Sequence, residues 1–142
     1  MSRWHVAPAC VWIALLPLAG CGSAPTAPAG TGAAAVVQGY YDALVRRDWP
    51  AAYAALHADS RKWCSATQFA SLAEQHRKGL GLEPEEVRVR SCDENGEQAV
   101  AHVTIMGHAA GKQVFYKDAL TLRRDADGWE IVLPAHFGDP AR

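Results

Sequence analysis

No charge of one sign dominates this sequence. Lys plus Arg number 14 and Asp plus Glu number 15, a net of −1, so it lacks the basic patch or stripe that nucleic acid requires. Cysteine is scarce. Four in 142 residues are too few for a disulfide-dense mini-scaffold. No apolar run reaches the roughly 20 residues that a membrane-crossing helix needs, and residues 9–18 are interrupted by Pro17. There is no C-x-x-C, no H-x-x-x-H and no H-x-E, the spacings that most often announce a metal centre. No internal repeat is visible, and no nucleophile–base pair or paired carboxylates stand at a recognisable spacing. What remains is 49% hydrophobic and 20% charged, ordinary for a globular chain. The length suits one domain, not two.

The first twenty residues read as a leader. Arg3 supplies a fixed positive charge and residues 9–18 a short apolar core, the layout of a secretory signal peptide. The run ends in Leu18-Ala19-Gly20-Cys21. This resembles the bacterial lipoprotein lipobox: an aliphatic residue, two small residues and an obligatory cysteine. The resemblance implies cleavage after Gly20, so that residues 1–20 are removed, and a thioether-linked lipid on Cys21. It also implies a partner, the membrane, reached through that anchor. Two acyl chains suffice for stable anchoring, at about 0.8 kcal/mol per buried CH₂. The alternative is an ordinary signal peptide with Cys21 left over. Cys10 lies within the leader, and the Asp that would resemble an inner-membrane retention signal is absent, since Gly22 follows the cysteine. The expected location is the cell envelope, facing the periplasm or the exterior.

Residues 22–32 read GSAPTAPAGTG, uncharged and without a large apolar side chain, which is linker composition. With the lipidated cysteine they form a tether over 21–32, reaching about 18 Å as a flexible coil. The folded unit is then 33–142. Val37, Tyr40, Tyr41 and Leu44 recur at helical spacing and predict a helix over 33–47, with Thr31 as its cap. Asp48 caps a second, short helix carrying Trp49, Pro50, Tyr53 and Leu56. Ser65-Ala66-Thr67-Gln68 has the form of a capping box and opens a third helix to about residue 78. The period then changes to two. Strands are predicted from about residue 87, over 98–106, over 113–124 and from residue 129, with turns at 93–96, 107–111 and 127–128. Three helices followed by a four-stranded antiparallel meander is an α+β layout.

That order is similar to the nuclear transport factor 2-like, or cystatin-like, superfamily. The residues carrying the resemblance are VQGYYDALVRR from Val37, DWPAAYAAL from Asp48 and the closing Asp127-Gly128-Trp129-Glu130-Ile131. The resemblance implies helices packed on a curved sheet, a cone-like half-barrel. The superfamily hosts isomerases, dehydratases, ligand carriers and interaction modules, so fold alone does not name an activity. Its open sheets often pair face to face, which implies a homodimer as one assembly.

Asp118 is the leading candidate residue. It shares a strand face with Tyr116, Leu120 and Leu122, and burying a carboxylate is costly unless it is partnered. Ketosteroid isomerase resembles this fold and works with an Asp base and a Tyr-containing oxyanion site in an apolar pocket. On that resemblance Tyr40 or Tyr41 would meet Asp118. The alternative is a bulge, or an Asp paired with a base at the sheet edge. Cys64 and Cys92 form an even pair, which reads as a disulfide in an oxidising compartment; two free thiols are the alternative, and a metal site is third. His102, His108 and His136 are read as surface or satisfied residues. The aromatics are numerous enough to line a cavity, yet at these spacings they also read as core. The sequence therefore favours a non-enzymatic binding or accessory domain for a small apolar ligand or an envelope protein, with no nucleic acid, no cofactor and no metal. An isomerase- or dehydratase-type enzyme and a homodimeric envelope module are the alternatives.

Overall fold

The computed structural model describes residues 31–139. The leader, Cys21 and the tether up to residue 30 lie outside the described residues. Four helices precede four strands: α1 (Ala33–Arg46), α2 (Trp49–Ala54), α3 (Ala58–Trp63), α4 (Ala66–Gly79), β1 (Glu83–Asn95), β2 (Gln98–Ala109), β3 (Lys112–Asp125) and β4 (Gly128–Val132). The strands form one antiparallel sheet in the order β1-β2-β3-β4. Two register shifts in β1, at Pro84/Glu86 and Val89/Ser91, are the kind of irregularity that bends a sheet. The α+β architecture expected from the sequence is the one observed. Among the described residues no helix is long and apolar enough to cross a membrane.

The helix α1 lies over the sheet and buries Val37, Tyr40, Tyr41 and Leu44. They share one core with the inner face of β2, where Ala99, Ala101, Val103 and Ile105 are all buried. Asp48 caps α2 by accepting from the Ala51 N–H at 3.2 Å. The Ser65/Gln68 capping box is complete, with both reciprocal bonds present. A β-carbon at Gly107 would collide with the Glu83 carbonyl; the close approach of the two strands there requires glycine.

Four local expectations are corrected. Thr31 does not cap α1. Gly32 occupies that position with no side-chain bond, while the Thr31 hydroxyl donates to Glu94 Oε2 at 2.7 Å and the Thr31 N–H donates to it at 2.9 Å. The Ala33 N–H donates to the other oxygen at 3.3 Å, so a carboxylate from β1 serves the helix N-terminus, where negative charge is favoured. The turn at 93–96 shrinks, because β1 runs to Asn95 and pairs it with Gln98. The turn at 107–111 also shrinks, to Ala110-Gly111, both with positive φ. Finally, the stretch between the second and third expected helices contains the extra helix α3. His57 caps it by accepting from the Asp59 N–H at 3.1 Å. Its buried residue is Ser60, so there was no apolar stripe to see. Its only signal was acid first, base last: Asp59 in the first turn, Arg61 and Lys62 in the last.

The bridge expected between Cys64 and Cys92 is not formed; both are free thiols. Cys64 ends α3, buried, with its sulfur 3.7 Å from the Ser65 carbonyl. Cys92 sits on β1 opposite Ala101. Burial pushes both thiols above the ordinary range, and Glu94 and Asp93 add to this for Cys92. Both therefore stay protonated and weakly reactive.

Candidate functional site

The short final strand opens a cavity. β4 pairs only with the stretch of β3 from Thr121 to Asp125. Among the described residues the preceding part of β3 therefore has no paired strand on that side, and the inner face there holds Tyr116 and Asp118, both half-buried. Opposite stand Tyr40, Tyr41 and Leu44 of α1, His76 at the C-terminal end of α4, and the segment after β4 with Pro134, His136 and Phe137. The cavity between them is about 350 Å³, within the range of small-molecule sites.

Asp118 organises its polar wall. The Tyr41 hydroxyl donates to Asp118 Oδ2 at 2.7 Å. The Ala119 N–H donates to Oδ1 at 2.8 Å. His76 Nε2 lies 3.9 Å from Oδ2, and 24% of the Asp118 side-chain surface remains exposed. Burial pushes the Tyr41 phenol well above its ordinary value, and the Asp118 charge and hydrogen bond add to the effect. Burial likewise raises Tyr40, with Asp118 and Cys64 contributing. Both phenols thus remain protonated donors. Burial pushes His76 below its usual value, opposed by attraction to Asp118, so near neutral pH His76 is uncharged. Its ring stacks on Phe137 with centroids 5.0 Å apart, and Phe137 stacks on Phe69 at 5.7 Å. Tyr40 packs edge-on against Tyr41 at 5.4 Å. Its hydroxyl is buried without a hydrogen-bond partner among the described residues.

Of the residues singled out from sequence, the structure brings Tyr41 and Asp118 into contact and places Tyr40 beside them. His136 lies exposed on the cavity lining. His102 points outward on β2, exposed, and His108 is exposed at the end of β2 with Nδ1 2.9 Å from Glu85; neither joins the site. The sequence reading missed His76. Its signal was present: Phe69, Ala73 and His76 fall at helical spacing on one face of α4. Also unforeseen was a group of potential metal ligands, His57, Asp125 and Glu130, whose ligand atoms lie within 4.8 Å of one another. Protein donors already occupy much of it. Arg61 donates to Glu130 Oε1 at 3.2 Å, the Asp127 N–H to Asp125 at 2.9 Å, and His57 Nδ1 accepts from Asp59.

Solved structures that resemble this one include the following two. A SEC-C motif containing protein from Rhodopseudomonas palustris superposes with a TM-score of 0.54 at 14% identity, covering 70% of this chain and 73% of that one. A protein from Campylobacter jejuni, described as a putative NTF2-like transpeptidase, gives a TM-score of 0.51 at 12% identity, covering 70% of this chain and 96% of that one. At such identities the likeness speaks to fold, and it supports the nuclear transport factor 2-like architecture. No curated protein matches the chain. A family model described as "Putative lumazine-binding" matches residues 30–135, and on that match the chain belongs to this family.

Proposed function

We propose that this protein is a membrane-anchored lipoprotein of the cell envelope, lipidated at Cys21, whose folded domain binds a small organic molecule without transforming it. The observation that carries the binding reading is the cavity of about 350 Å³ with one polar wall, the Tyr41–Asp118 pair. A concave, aromatic-lined pocket with a few convergent polar groups is the usual form of such a site. The family description, which names lumazine binding, supports a small-molecule ligand. The Leu18-Ala19-Gly20-Cys21 sequence supports the anchor, and the tether composition supports a domain held off the lipid surface.

The test is native mass spectrometry of the full-length protein taken from its host membranes. A retained small molecule, lost on Asp118→Leu, is the expected result. An empty protein that also fails to take up added lumazine overturns the reading. The same spectrum reports whether the protein is a monomer or a homodimer. Cys21→Ser should release the protein from the membrane fraction, and fatty-acid incorporation that persists in that variant overturns the anchor.

A second reading rests on the same pair. A carboxylate bonded to a protonated phenol, beside a neutral imidazole, is equipped for proton transfer, which favours an isomerase- or dehydratase-type enzyme with Asp118 as base. Conversion of the retained molecule, abolished by Asp118→Asn, would support it. Recovery of the molecule unchanged supports binding alone.

A further inference from the structure

The cavity lining is charged in one direction only. Asp118 lies on its wall and Asp139 on its rim, and among the described lining residues there is no lysine or arginine. Several surface acids are met by bases. Asp59 contacts Lys62 and Arg123, Glu83 contacts Arg47 and Arg77, and Glu130 contacts Arg61. Asp118, on the cavity wall, meets no lysine or arginine within salt-bridge distance among the described residues. Its one charge-capable neighbour within 4.0 Å among the described residues is His76, and burial keeps that imidazole neutral. Tyr41 and the Ala119 amide satisfy one site on each oxygen. An ionised carboxylate has about four acceptor sites, so capacity remains. Around it stand the aromatic side chains of Tyr41, Tyr116 and Phe137. A half-buried carboxylate without a fixed counter-ion, framed by aromatic rings, is complementary to a cation that is itself partly apolar. The same field repels carboxylates and phosphates.

Building on the small-molecule reading of the cavity, we propose that the ligand is a small organic monocation, an amine bound in its ammonium form, with Asp118 as its counter-ion and the aromatic walls around its apolar part. The Tyr41 hydroxyl holds the carboxylate in place, which makes Tyr41 a positioning residue.

Three probes with one ring system and different head groups test this: 2-naphthylmethylamine, 2-naphthylmethanol and 2-naphthoate. Each is titrated into the full-length protein near neutral pH. Binding is followed by the amide resonances of Ala119 and Leu120, since the Ala119 N–H bonds directly to Asp118. The ammonium probe should bind about tenfold or more tighter than the alcohol, because a charge-assisted hydrogen bond is roughly twice as strong as a neutral one, and the carboxylate probe should bind worst. In Asp118→Asn the preference for the ammonium should vanish while the alcohol still binds. The wild-type ranking decides the matter even if that variant folds poorly. Alcohol or carboxylate binding as tightly as the ammonium overturns the cation proposal and leaves the cavity reading standing. Full retention of the preference in Asp118→Asn overturns the assignment of the counter-ion. If none of the probes perturbs the cavity resonances, the cavity reading fails and the cation proposal with it.

Discussion

The two halves of β3 meet different fates. From Thr121 to Arg123 the strand is paired on both sides, with β2 and with β4. The outer edge of β4 is covered in turn by the link between α2 and α3: the Ile131 N–H donates to the Ala55 carbonyl at 2.9 Å, and the His57 N–H to the Ile131 carbonyl at 2.8 Å. The buried Ser60 hydroxyl receives the Leu133 N–H at 2.9 Å. The inner side chain of this half, Leu122, is fully buried. From Lys112 to Ala119 the strand pairs with β2 alone, and its inner face carries Tyr116 and Asp118 around a cavity. Both halves alternate inward and outward with the same period. What separates them is the length of β4, five residues against fourteen. A strand that stops early leaves space, and here the polar residues face that space.

The contrast predicts unequal costs. Leu122→Ala should remove about 2–5 kcal/mol, the usual loss for a leucine truncated in a closed core. Tyr116→Ala, at the open half, should lose clearly less, because that ring already borders a cavity. Chemical denaturation of both variants measures the difference. Equal losses would mean that the open half is as tightly packed as the closed one.

Arg77 anchors the open end. It is 5% exposed and donates to the Leu44 and Val45 carbonyls at 3.0 and 3.1 Å, near the C-terminus of α1, as well as to Glu83. Arg77→Met strands the Val45 carbonyl, while Leu44 keeps its bond from the Arg47 N–H, and should cost about 1–3 kcal/mol. Amide exchange should accelerate in the last turn of α1 while the β3–β4 pairing stays protected.

Acid should open the cavity end first. His76 is neutral when folded because burial lowers its affinity for protons, whereas the unfolded chain protonates near the ordinary value of 6.5. The unfolded state therefore binds more protons below that value, and stability falls as pH drops through it, by at most about 1.4 kcal/mol per pH unit. His76→Gln should remove this slope in a series of thermal melts. An unchanged slope would show that His76 is not the group responsible.

Glu94, at the opposite end, answers later and more weakly. Its bonds from the Thr31 side chain and backbone hold its carboxyl below the ordinary value of 4.5. Its contribution is therefore complete above that value and fades as pH falls through the lower, folded one. Glu94→Gln should flatten only this most acidic part of the melt series, and should loosen Thr31, to which the Trp129 indole N–H also donates at 2.6 Å.

Much of this fold was legible because local chemistry and tertiary environment agree. The α1 stripe, the Asp48 cap, the Ser65/Gln68 box and the strand alternation each have a cause lying within a few residues, and each stands as expected. α3 was hidden because it buries a serine instead of an apolar stripe. The β1–β2 turn was placed too early because Asp93 and Glu94 suit a turn by composition, yet both pair with β2, opposite Val100 and Ala99, while the Glu94 carboxylate is held by Thr31, 63 residues away. Asp118 was visible as a carboxylate on an apolar face, but the choice among its partners was not.

The sequence by itself determined the order and type of the main elements and the side chains that share each face, since periods of 3.6 and two are properties of the backbone. It also holds the Leu18-Ala19-Gly20-Cys21 run on which the proposed anchor rests. Tertiary structure alone decided which faces meet. It paired Asp118 with Tyr41 and not Tyr40, brought His76 from α4 to within 3.9 Å, left Cys64 and Cys92 apart, and left the cavity empty of lysine and arginine among its described lining. The reason is physical. A hydrogen bond or an uncompensated charge depends on distances between segments dozens of residues apart, and those distances follow from where β4 ends and how the helices cross the sheet.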